Sequence, residues 1–147
     1  MAGANYVLDK SFPVLSTYNT SDSLGVTAYR CVAQSSSTGI IDLNATATTP
    51  SVGVVQENID AVKVATGKAN ADVRVLGISK VRVSDTPGVI VIGSKVAASG
   101  TSTNKGGVKL AVATNVPLGI VVGPLPIGTP AAGDLIDVLL TPGMPVL

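Results

Sequence analysis

The chain has 147 residues and a net charge of +1, with ten basic residues set against nine acidic ones. That length holds one domain rather than two, and a balanced charge with no basic run excludes broad electrostatic binding to nucleic acid. There is no His and only one Cys, which excludes imidazole chemistry, an internal disulfide and a cysteine-built zinc site.

The apolar share is 46%, nearly all Val, Ala, Ile and Leu, while charged residues make up 13% and aromatics 3%. So apolar and β-branched a chain is not disordered. Residues 1–25 are polar and turn-rich, broken by Tyr6-Val7-Leu8 and Phe12-Pro13-Val14-Leu15. These pieces are short and Pro-punctuated, and they predict an extended N-terminal arm rather than a core strand. The body, residues 26–147, reads as a single β domain. Val26–Ala33, Ile40–Leu43 and Val52–Val55 are strand candidates. Glu57–Ala65 fits either a strand or a turn or two of helix capped by Asn58.

Asp72–Ser84 carries the clearest alternation, with Val73, Val75, Val81 and Val83 set between Asp72, Arg74, Lys80, Arg82 and Ser84. One face is apolar and the other is wet. Gly77 stands between the two alternating stretches, where a bulge or bend fits. Beyond Pro87-Gly88 come Val89–Ile92, a polar loop over Ser99–Gly107, Val108–Val112, Leu118–Val122, a Pro/Gly connector over Pro124–Gly133, and Leu135–Leu140. Strands recurring about every ten residues predict an all-β fold, a small β-barrel or β-sandwich of short strands.

The charge-free run Leu110–Gly133 contains Pro117, Pro124, Pro126 and Pro130, too many prolines for a membrane-spanning helix. One internal echo stands out. Val52-Gly53-Val54-Val55 is similar to Leu118-Gly119-Ile120-Val121, and each precedes an Ala/Gly-Asp-apolar strand.

No catalytic plan is complete. Gly67-Lys68 lacks the flanking residues of a phosphate loop. Asp134 and Asp137 are three apart, which on a strand sends them to opposite faces. Asp134 reads as a turn residue and Asp137 as a wet-face residue. Cys31 lacks a base and reads as a small hydrophobe. Arg74, Lys80 and Arg82 form a local basic cluster, either a patch for an acidic partner or a solvated face. No enzyme activity and no cofactor or metal is expected. So apolar a β domain would expose a partner surface as a monomer. Three of the four aromatics, Tyr6, Phe12 and Tyr18, lie in the arm, and aromatics are effective interface anchors.

Several segments together resemble phage head decoration, or capsid cement, proteins. They are Ala28-Tyr29-Arg30-Cys31-Val32-Ala33, Val52-Gly53-Val54-Val55, Ala71–Ile78, Leu118-Gly119-Ile120-Val121 and Ala132–Leu140. The resemblance covers residues 26–141. It implies a structural virion protein on the outer surface of an icosahedral capsid. Such a protein binds the major capsid protein as a homotrimer and stabilises the shell, with no direct nucleic-acid or membrane partner. Tyr6, Val7, Leu8, Phe12, Val14, Leu15 and Tyr18 are then the candidates for capsid or neighbour contact. Pro124, Leu125, Pro126, Ile127 and Pro130 are the candidates for trimer contact. The alternative is a virion or surface ligand-binding module, of tail or carbohydrate-binding type.

Overall fold

A computed structural model describes residues 7–14, 27–34, 38–100 and 105–141. Nine strands run in the order β1 (Leu8–Pro13), β2 (Cys31–Gln34), β3 (Ile41–Leu43), β4 (Gly53–Val55), β5 (Asn70–Arg82), β6 (Lys95–Ser99), β7 (Gly107–Leu110), β8 (Pro117–Val121) and β9 (Leu135–Leu140). One five-residue helix, α1 (Ala61–Ala65), interrupts them. The fold is an all-β antiparallel half-barrel with almost no helix. No helix among the described residues is long and apolar enough to cross a membrane.

The sheet order is β3-β2-β4-β5-β9-β8-β6-β7, with β1 paired to β5 outside that path. All pairings between these strands are antiparallel. β5 is the spine, and it bends sharply. The Gln56 N–H donates to the Asp72 carbonyl at 2.9 Å, and the Gln56 side chain donates to Ser79 Oγ, also at 2.9 Å. On a straight strand those two residues lie about 23 Å apart, far beyond the reach of one glutamine. The bend falls at Gly77, whose φ of 101° suits only glycine. The Arg74 guanidinium closes its inside by donating to the Ile78 carbonyl at 3.0 Å.

The bend divides the apolar residues into two cores. The first gathers Phe12, Val14, Val32, Ile41, Val55 and Val73, among others. The second gathers Cys31, Val54, Val81, Leu118, Ile136 and Val138, among others, with no aromatic among the described residues. β2 and β4 separate them: Val32 and Val55 enter the first core, Cys31 and Val54 the second. This is the period-two alternation of a strand buried on both sides. The far side of the half-barrel curls back toward β5 through a parallel bridge between Val83 and Val108.

Several sequence expectations change. The strand expected from Val26 starts only at Cys31, because Tyr29 takes a φ of 68°, outside the β region. Ala61–Ala65 is helical, and its cap is Asp60, whose carboxylate accepts from the Val62 N–H at 2.8 Å. Asn58 instead accepts from the Ala28 N–H. Val89–Ile92 forms no strand, and β6 lies just beyond it.

Candidate interaction surfaces

Between Leu8 and Pro13 the expected arm is a strand of the sheet. β1 pairs with Asn70–Leu76 of β5, and Val14 adds a parallel bridge to Ile41. Phe12 and Val14 are 9% and 2% exposed and belong to the first core. The sequence hid this because only Phe12 and Val14 of this stretch are buried, so the apolar pieces look too short. Val7 and Leu8 remain exposed. Tyr6, Leu15 and Tyr18 lie outside the described residues.

The connector is mixed. Leu125 packs against the second core and Pro130 is buried, while Pro126 is half-buried and Pro124 exposed. Ile127 projects fully into solvent, beside Gly128 in a left-handed conformation.

The basic cluster is largely neutralised within the chain. Arg74 holds Asp9 of β1 through two bonds, Nε to Oδ1 at 2.9 Å and Nη2 to Oδ2 at 3.1 Å. That hydrogen bonding raises the Arg74 pKa above its ordinary value, against a smaller opposing effect of burial. Lys80 meets Asp137 of β9 at 3.4 Å, where register places them opposite one another. Arg82 is half-buried, and its Nε is buried without a hydrogen-bond partner among the described residues.

The remaining polar candidates have structural work. Asp134 accepts from the Ala131 N–H at 2.8 Å and closes the turn before β9, as its position implied. Cys31 is wholly buried, and desolvation pushes its thiol up to about 12, so it is protonated and shielded at neutral pH. Two open clefts, of about 490 and 480 Å³, lie beside α1 and along β2 and β3. The first is lined by charges of both signs, Glu57, Asp60, Lys63 and Lys68. No group of three or more His, Cys, Asp or Glu among the described residues could hold a metal ion.

The sequence reading overlooked the apolar side chains that face outward. Leu76, Ile78 and Leu139 are exposed on β5 and β9. Val89, Val91 and Ile92 are exposed on the loop before β6, around the buried Ile90. The signal for Leu139 was available, since it and Leu135 stand at the parity opposite to Ile136, Val138 and Leu140.

What this geometry defines is a half-barrel scaffold whose notable surfaces are apolar. The same architecture occurs in the N base of head fiber gp8.5 in bacteriophage phi29. That structure matches with a TM-score of 0.55 over 92% of this chain and 95% of that one, at 16% identity. A likeness at this identity is one of fold. No protein-family model matches the chain, and no curated protein does.

Proposed function

We propose that this chain is a structural, non-catalytic virion protein attached to the outer surface of an icosahedral phage head. In this reading it binds the major capsid protein as a trimer and acts as a decoration or cement protein that stabilises the shell. The observation that carries the reading is the fold shared with a phage head fiber base along nearly the full length of both chains. The resemblance of the Gly-Val strands to decoration proteins points the same way.

The mechanism is adhesion by area and repetition. A trimer spanning several shell subunits adds weak contacts through effective concentration. Apolar burial supplies the energy, and the surrounding polar groups set the register. Val7 and Leu8 of the N-terminal segment and Ile127 of the connector are available for contacts with the shell or with neighbours. Phe12 and Val14 serve the fold.

The test is to purify particles on a density gradient and quantify this chain against the most abundant shell protein. A fixed, simple ratio supports decoration. Absence from the particles overturns the reading.

A further inference from the structure

β9 carries apolar side chains on both faces, with Asp137 between Leu135 and Leu139 on the outer one. Ile136, Val138 and Leu140 are buried in the second core, while Leu135 and Leu139 alternate with them and are exposed. The inner face is covered by the second core, and the outer one has no cover among the described residues. The neighbours extend it: Leu139 stands opposite Ile78 of β5 and Ile120 of β8. On the other side of Gly77, Leu76 stands opposite Leu8 of β1.

Leu8, Leu76, Ile78 and Leu139 are 54%, 48%, 48% and 38% exposed. Together they present on the order of 400 Å² of apolar side chain, about half of what each partner contributes to a stable interface. The adjoining charges are already matched in pairs, Asp9 with Arg74 and Lys80 with Asp137. In a cyclic trimer the contact is heterologous, so this face meets a different face of an identical chain. A rim of internally matched charges adds no net charge to that approach, whereas a rim of one sign would repel a like-signed one.

We propose that the outward apolar surface of β5, β8 and β9 is a self-association surface occupied by a second copy of this chain. This rests on the preceding reading only for the existence of self-association, and it assigns that contact to named residues.

The test is sedimentation of the full chain at micromolar concentration, with circular dichroism to follow folding. The variants are Ile78→Asp, the double variant Ile78→Thr with Leu139→Thr, and the loop control Val91→Asp. The wild type and the control are expected to sediment as oligomers. The Ile78 and double variants are expected to sediment as folded monomers. Threonine suits a strand, so the double variant gives an answer even if the aspartate variant misfolds. A monomeric wild type, or a double variant that stays oligomeric, overturns the proposal. If the wild type is monomeric but the double variant is lost from purified particles, the shell is the occupant; this proposal then fails while virion attachment stands. An intact oligomer missing from particles leaves the proposal standing and overturns only the virion reading.

Discussion

A β-carbon on Gly119 would overlap the backbone carbonyl of Leu139 and come within 2.8 Å of Val138 Cγ1. Gly53 stands the same way against the carbonyl of Arg74, with Val73 Cγ1 at 2.7 Å. The registers agree as well: Val54 and Val55 face Arg74 and Val73, as Ile120 and Val121 face Leu139 and Val138. The echo between the two Gly-led segments is therefore a repeated packing unit, a glycine strand laid against a long neighbour. The Asp turns do not share it, since Val73 follows Asp72 directly while Val138 lies four residues after Asp134.

Gly53→Ala and Gly119→Ala should each destabilise the fold by about 1–3 kcal/mol, the usual range for overpacking a filled site. Urea denaturation monitored by circular dichroism measures the loss. Gly93→Ala has open space for its methyl group but strains a φ of 87°, so its cost is one of backbone conformation alone and should be smaller.

The first core needs β1. Phe12→Ala should cost about 3–5 kcal/mol, whereas Ser11→Ala, on an exposed position of the same strand, should stay within about 0.5 kcal/mol. Removing residues 1–20 takes Phe12 and Val14 together. The truncated chain should fail to give a cooperative melting transition, contrary to what a loosely held arm would allow.

Cys31 makes stability fall in alkali. Its thiol titrates near 12 when folded and near 9.0 unless buried. Below pH 9 both states hold the proton and no stability is lost. Between pH 9 and 12 the unfolded state releases the proton while the folded state keeps it, so stability declines as pH rises. Urea midpoints from pH 8 to 11 should fall, and Cys31→Ala should fall less steeply from a lower starting value. A thiol reagent at neutral pH should label the wild type only after denaturation.

Asp9 and Arg74 should prove unequal partners. Their ion pair is partly exposed, 24% and 40% for Arg74 and Asp9, so a double-mutant cycle should return a coupling below about 1 kcal/mol. Arg74 also spans the bend through the Ile78 carbonyl. Arg74→Ala should therefore cost more than Asp9→Ala, and amide exchange should rise at Ile78–Lys80 in the arginine variant alone.

The sequence told most where one periodicity acted alone. Leu135–Leu140 was legible to the residue as a short apolar run between turn signals, and Asp72–Ser84 nearly so, because long alternation leaves one answer. Gly77 was legible as a bend because its position breaks that alternation. Lys95–Ser99 was missed, since two alanines give a weak pattern and the more apolar Val89–Ile92 beside it drew the strand assignment. The burial of Phe12 and Val14 was missed for a related reason: their partners, such as Ile41 and Val73, lie some 30 to 60 residues away, which local polarity cannot reveal.

β5 feeds Ala71 and Val73 to one core and Val81 to the other. Neither core can be dismantled without pulling a shared rod out of the second. The molecule should therefore unfold in one step, with no half-melted form populated along the way. A nick at the bend would undo both parts together, rather than leaving one working fragment.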